Sequence, residues 1–246
     1  MSRTLEEARA AQQTPISTGT VKPGDAYARI HAARSESLPL IRDFAHAWYM
    51  APYTWDMTSW LGVPVMKNPM DLWMYHELFW NIRPRTVIET GTAMGGSSFF
   101  FATLQALMGI EKAQVITIDV SHEHLTRKAP GVTYVLGDCT DKAVVEDVLA
   151  HVTHPCFISL DSEHTEAHVL QELELYTPAL TVGEFVVVED TIVQWPDDDG
   201  ALGAVNKFLA AHPGEWAQEE MCERYWLTMH SGGWLFKLPP ERGTRA

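Results

Sequence analysis

Cysteine is scarce in this chain: three in 246 residues, at Cys139, Cys156 and Cys222, with no CxxC spacing. So sparse and odd a set excludes a disulfide framework and a zinc-finger pattern, and it fits reduced thiols in a cytoplasmic protein. No apolar run approaches the roughly 20 residues of a membrane span, and no basic-then-apolar leader opens the chain. Positive charge is also short. Eighteen Lys and Arg against 32 Asp and Glu leave a net charge of −14, which argues against nucleic acid or an anionic membrane surface as partner. There is no internal repeat and no Pro- or Ser-rich interdomain linker. The polar composition of residues 1–24 predicts a flexible start. Residues 25–66, aromatic-rich and helical in pattern, predict a helical cap, read as a helix pair, and residues 67–246 the main domain.

What the chain does contain is a series of short apolar runs, each ending in a charged or glycine-bearing tip. Asn68-Pro-Met-Asp71 has the composition of a helix start, with Asn at the N-cap and Pro at N1. Leu72, Tyr75, Phe79 and Ile82 then recur at helical spacing up to Arg83-Pro84. Thr86-Val-Ile-Glu89 reads as a first buried strand, followed by a turn with Gly91, Gly95 and Gly96 and an apolar helix. That strand–turn–helix unit is the nucleotide-binding element of doubly wound sheets. The glycines do not spell GxGxxG, however, and no Lys-Ser/Thr follows. Glu89 at the strand tip would repel a pyrophosphate and suits a ligand with a cationic amino group, which favours S-adenosylmethionine over a dinucleotide. Gln114–Asp119 and Val132–Asp138 read as the second and third strands. The late segments around Trp216, Arg224–Thr228 and Trp234–Leu238 read as closing strands.

The centre of the pattern is a pair of runs, Cys156-Phe-Ile-Ser-Leu-Asp161 with His164 just beyond, and Phe185-Val-Val-Val-Glu189-Asp190. Runs of four or five apolar residues read as strands buried on both faces. In such sheets ligands sit beyond the carboxyl ends of the strands. If the two strands are neighbours, Asp161, Glu189 and Asp190 converge. Three carboxylates so placed require something positive, and a hard divalent cation is the obvious candidate. The acidic loop Pro196–Gly200 reads as a solvated turn. His168, one turn beyond His164, reads as structural, and Cys139 carries no role.

These motifs, Lys67-Asn-Pro-x-Asp71, Ile88-Glu-Thr-Gly91 with Gly95-Gly-Ser97, Leu160-Asp-Ser-x-His-Thr165 with His168-Val-Leu170, and Val187-Val-Glu-Asp-Thr191, resemble the cephalosporin hydroxylase-like family of class I methyltransferases. That family is related to the metal-dependent O-methyltransferases of macrolide sugars. The resemblance implies an α/β Rossmann-like sheet, mostly parallel with an antiparallel last strand, using S-adenosylmethionine and Mg2+. It implies a cofactor site at Glu89, Gly91, Thr92, Gly95 and Ser97 (methionine end), Asp119 (ribose) and Gly137 with Asp138 (adenine), bordered by Asp161. It further implies metal ligands Asp161, Glu189 and Asp190, His164 as general base, a homo-oligomer, and a small-molecule acceptor, a sugar or natural-product hydroxyl. Two neighbouring hydroxyls could chelate magnesium, so that hydroxyl is expected in a vicinal diol. Two alternatives stay open: a fold repurposed for hydroxylation, cyclisation or cofactor binding alone, and a nicotinamide-dependent oxidoreductase.

Overall fold

Each continuous apolar run forms a strand, and the runs line up side by side. The protein is described by a computed structural model over residues 23–193 and 199–240. The chain divides into two units, residues 1–37 and 38–246. The first is described only by the start of helix α1 (Pro23–Met50), which continues into the second. Of the segment expected to be flexible, residues 1–22 lie outside the described residues, as do residues 194–198 of the acidic loop.

The second unit carries a hairpin, β1 (Ser59–Trp60) with β2 (Val63–Pro64), and then helix α2 (Pro69–Ile82), strand β3 (Thr86–Thr90) and helix α3 (Gly96–Leu107). Strands β4 (Gln114–Asp119) and β5 (Val132–Leu136), helix α4 (Lys142–Leu149), strand β6 (Cys156–Leu160), helix α5 (Glu166–Tyr176), strand β7 (Phe185–Val188) and helix α6 (Gly200–Ala211) follow. Strands β8 (Trp216–Gln218) and β9 (Trp234–Lys237) close it. The seven-stranded sheet has the order β5-β4-β3-β6-β7-β9-β8. Strands β3 to β7 are parallel, and β9, the last in the chain, pairs antiparallel with β7 and with β8.

Strand alternation sorts the core into two layers. Ile88, Ile118, Ile158 and Val186 face helices α4, α5 and α6 through Val148, Leu173, Tyr176, Val205 and Phe208. Val87, Val115, Phe157 and Val187 face the other way, onto Tyr75, Phe79, Phe101 and Trp234. Each such side chain contributes roughly 1.5–3 kcal/mol on burial. Two sequence expectations are corrected. Residues 25–60 form one long helix, a 3-10 turn at Trp55–Met57 and the start of the hairpin, not a helix pair. The run Arg224–Thr228 is not a strand: a 3-10 turn at Glu220–Glu223 runs into it, and the amides of Arg224, Trp226 and Leu227 bond to carbonyls two or three residues back.

Candidate active site at the tips of the central strands

Register places the acids. Leu160 on β6 pairs with Val188 on β7, so Asp161 and Glu189 leave neighbouring strands at the same level. The ladder continues one step beyond the strands: Asp161 N donates to Thr90 O at 3.1 Å and Glu189 N to Leu160 O at 3.0 Å. Asp190 then turns back in the left-handed region, with φ 55. Its amide donates to Nδ1 of His230 at 3.2 Å, which fixes this strained conformation.

The convergence expected from the sequence is present, and the positive group within it is a lysine. Lys67, 4% exposed, donates from Nζ to Asp161 Oδ2 at 2.7 Å and also to Glu189 Oε2. Thr58 holds the Lys67 backbone, its hydroxyl donating to Lys67 O at 2.9 Å and accepting from Lys67 N at 3.1 Å. Glu189 points inward: Oε1 accepts from Tyr75 at 2.8 Å and from Ser159, and His230 Nε2 lies 3.5 Å from Oε2. His230 Nε2 is also 3.6 Å from Asp71, whose carboxylate accepts the Met229 amide at 2.9 Å.

The electrostatics follow from this wiring. Burial works to raise the Glu189 pKa, but Lys67 and then His230 outweigh it and hold the acid ionised, at about 2. Asp161 goes the other way, raised by burial and by Glu189 against the pull of Lys67. Lys67 itself would be lowered by burial, but Asp161 and Glu189 hold it firmly charged.

Three groups face outward together. Asp161, His164 and Asp190 offer ligand atoms all within 4.8 Å of one another. His164 Nε2 stands 3.5 Å from Asp190 Oδ2 and 3.9 Å from Asp161 Oδ1. Two carboxylates beside an imidazole suit magnesium, which is commonly held by one or two carboxylates and keeps several waters. Glu189, the third expected ligand, has its oxygens engaged by Lys67, Tyr75 and Ser159, so the outward-facing acids are Asp161 and Asp190. Tyr49 and Trp55, stacked with centroids 5.4 Å apart, line a cavity with Met66, Lys67, Asp161, Glu189 and Asp190.

On the neighbouring strand, Glu89 is fully buried; its Oε2 accepts from Thr117 at 2.6 Å and its Oε1 has no hydrogen-bond partner among the described residues. Burial raises its pKa to about 8, with Lys67 as the largest opposing influence. An unpaired carboxylate oxygen at the turn fits the cationic amino group of S-adenosylmethionine. Gly91, with φ +85, lets that turn touch the tip of β6: a Cβ there would overlap the carbonyl of Asp161. Gly96 does the same against Pro64, docking the β1/β2 hairpin on the start of α3. Gly95 is the left-handed N-cap of α3, and Ser97 is buried beside Glu89. Thr92 bonds to the hydroxyl of Thr117 at 2.7 Å.

Asp119, at the tip of β4, organises the loop first. Its Oδ2 accepts from the amides of Thr92 and Ala93, both at 2.9 Å, and its Oδ1 from Ser121 at 3.0 Å. Asp138 is exposed and closes a tight turn through Thr140 at 2.7 Å, after Gly137, whose missing Cβ leaves room for Val144. The structure thus brings Asp161, His164, Glu189 and Asp190 together and sets Glu89, Gly91 and Asp119 on adjacent strand tips. Sequence reasoning gave no role to Lys67, Asp71, Tyr75, Ser159 or His230. Lys67 and Asp71 stood inside the motif Lys67-Asn-Pro-x-Asp71, a signal that marks them but not their partners.

The chain matches the family described as Rhamnosyl O-methyltransferase/CmcI over residues 52–238. The rhamnosyl O-methyltransferase of Mycobacterium leprae (strain TN) is 29% identical over 203 residues, covering 78% of this chain and 88% of that protein. The rhamnosyl O-methyltransferase of Mycobacterium bovis (strain BCG / Pasteur 1173P2) is 36% identical over 152 residues, 59% of this chain. That match spans 62% of the M. bovis protein, less than two thirds of its length. A solved structure of CmcI with Mg and SAM is 25% identical, with a TM-score of 0.63, over 78% of this chain and 83% of that one. Strand order, strand-tip motifs and a match across most of its length agree: the chain belongs to the rhamnosyl O-methyltransferase/CmcI family.

Proposed function

We propose that this chain is a magnesium- and S-adenosylmethionine-dependent O-methyltransferase. Its acceptor is a hydroxyl of a vicinal diol on a sugar or other small natural product, in secondary metabolism. The observation that carries the reading is the set Asp161, His164 and Asp190, whose two acids line a cavity with the Tyr49 and Trp55 rings, one strand from the Glu89–Gly91 turn. Family membership and the bound groups of the CmcI structure support it.

When bound, magnesium supplies charge that stabilises a developing alkoxide, and S-adenosylmethionine supplies the methyl group. The chain's own residues do the rest. Asp161 and Asp190 hold the metal, and Lys67 keeps Glu189 ionised and turned inward beneath them. His164 accepts the hydroxyl proton at Nε2, the nitrogen that faces both acids. Tyr49 and Trp55 present flat apolar faces to the acceptor ring and help exclude water. Alignment of donor and acceptor then supplies much of the rate, up to roughly 7–11 kcal/mol in favourable systems.

The test is methyl transfer to a panel of vicinal-diol sugars, with magnesium or chelator, in wild type and His164→Ala. General-base loss costs about 10²–10⁴-fold in turnover. Full turnover by His164→Ala removes the base assignment, and failure of the wild type to bind S-adenosylmethionine removes the methyltransferase reading.

A further inference from the structure

A second cluster of ligating side chains lies outside the acceptor cavity. Cys139 sits in the loop after β5, Ser162 follows Asp161 beyond β6, and His168 and Glu172 lie one turn apart on α5. Cys139 Sγ is 3.5 Å from His168 Nε2, 3.2 Å from Glu172 Oε1 and 3.5 Å from Ser162 Oγ. Ser162 Oγ is 3.0 Å from His168 Nε2 and 2.7 Å from Glu172 Oε1, and those last two atoms are 3.8 Å apart. These six edges, from 2.7 to 3.8 Å, close a distorted tetrahedron averaging about 3.3 Å. Its centre lies inside the figure, about 2 Å from every donor, the length of a zinc–nitrogen or zinc–oxygen bond and a little under the roughly 2.3 Å of zinc–sulfur.

A separate observation points to the same place. Glu172 is completely buried, with its Oε1 turned to Cys139 and Ser162 and Thr90 beside the carboxylate, so the donor set lies in the protein interior. A carboxylate buried this completely is costly to keep ionised unless a cation joins it. The surroundings also suit ligation. His168 turns Nδ1 toward Glu163 Oε2 at 3.7 Å, leaving Nε2 as the inward donor, and Tyr176 pins the Cys139 carbonyl at 2.8 Å.

We propose that Cys139, His168 and Glu172, with Ser162 at the fourth vertex, form a structural site for a borderline-soft divalent metal, zinc by its donor set, distinct from the magnesium site. A thiolate, an imidazole and a carboxylate in tetrahedral array select zinc and reject magnesium. On binding, the Cys139 thiol releases its proton to solvent and the sulfur ligates. With no cation present burial keeps that thiol protonated, its pKa pushed up to about 12. The ion clips the loop that follows β5 to α5 and to the residue next to Asp161, so it stiffens the adenine end of the cofactor site without touching substrate.

The experiment uses the full chain, stripped with chelator and titrated with Zn2+ and, separately, Co2+. The expected result is one equivalent of either metal beyond any ion taken by Asp161, His164 and Asp190, and with cobalt that equivalent carries a thiolate-to-metal charge-transfer band. Cys139→Ser should abolish the band, and Cys139→Ser and Glu172→Gln should each weaken zinc binding at least 100-fold. Cys156→Ser and Cys222→Ser should retain the band. If either ligand variant fails to fold, the wild-type cobalt spectrum decides. No stoichiometric metal, no charge-transfer band, or unchanged affinity in Cys139→Ser would show that the four groups are joined by hydrogen bonds alone. None of these readouts depends on methyl transfer.

Discussion

Glu89→Gln separates an acid that is protonated at neutral pH from one that is ionised. Folded Glu89 has its pKa pushed up to about 8 by burial, against an ordinary value of 4.5. Between those two values the folded protein holds a proton that the unfolded chain has released. The stabilisation by the protonated acid is therefore complete below about pH 4.5 and is lost as pH rises through 8. Each pH unit inside the window costs about 1.4 kcal/mol, to an upper bound of about 5 kcal/mol. That is a large share of a typical net stability of roughly 5–15 kcal/mol. Glutamine keeps the carbonyl oxygen that accepts the Thr117 hydroxyl, and it does not titrate. Urea unfolding of cofactor-free protein from pH 5.5 to 8.5 should show Glu89→Gln gaining on wild type by about 1.4 kcal/mol per pH unit, levelling off above pH 8. A pH-independent difference would refute a proton on Glu89. S-adenosylmethionine adds a second reading: its cationic amino group favours ionised Glu89, so wild-type affinity should rise with pH up to about 8 and that of Glu89→Gln should not.

Gly91→Ala places a methyl group against the Asp161 carbonyl in a left-handed conformation. The strained backbone alone costs about 1–3 kcal/mol and the overlap adds to it, so a thermal melt should drop several degrees and cofactor binding should be lost. Asn68→Ala removes the N-cap of α2 and the 3.0 Å bond to Leu227 O, for a loss of about 1–3 kcal/mol in urea unfolding. Asn68→Asp keeps the cap and loses the Leu227 bond, so it should fall between.

The sheet was legible because its signals are local. Apolar runs such as Phe185–Val188 are buried on both faces, and their length and spacing alone mark them as strands. The tips were legible for the same reason: Asp161 and Glu189 follow directly from where their runs end. The aromatic segment before residue 60 was harder, since one long helix and two shorter ones share the same 3.6-residue period and only a break would tell them apart. The run Arg224–Thr228 has strand-forming residues and is nevertheless turned over on itself. The inner half of the site was hidden for a different reason. Lys67 reaches Asp161 across 94 positions and Glu189 across 122, and Tyr75 reaches Glu189 across 114. Nothing in local pattern announces such pairings, and only a count of charge could have asked for them.

That count can be carried further. Asp161, Glu189 and Asp190 bring three negative charges to one point, and Lys67 returns one. Two remain uncancelled, the charge a single divalent ion matches. Lys67→Met tests the arithmetic. It leaves Glu189, 2% exposed, ionised with only neutral donors and His230 around it. Breaking one side of a buried pair costs roughly 3–5 kcal/mol. Glu189 is held at about 2 in the wild type, so its favourable contribution is complete above about pH 5 and disappears as pH falls toward 2. The wild-type advantage over Lys67→Met should therefore be full at pH 7 and shrink in acid. Magnesium supplies the diagnostic comparison. An ion that binds only the folded state stabilises it by RT ln(1 + [L]/Kd). The variant no longer sets an ammonium against the incoming ion, so its melting temperature should climb more on adding magnesium than that of the wild type. Equal increments would mean that the lysine charge is not felt where the ion sits. No increment in either protein would mean that these carboxylates do not hold magnesium, and that Lys67 is by itself the cation this arrangement of acids was built to accept.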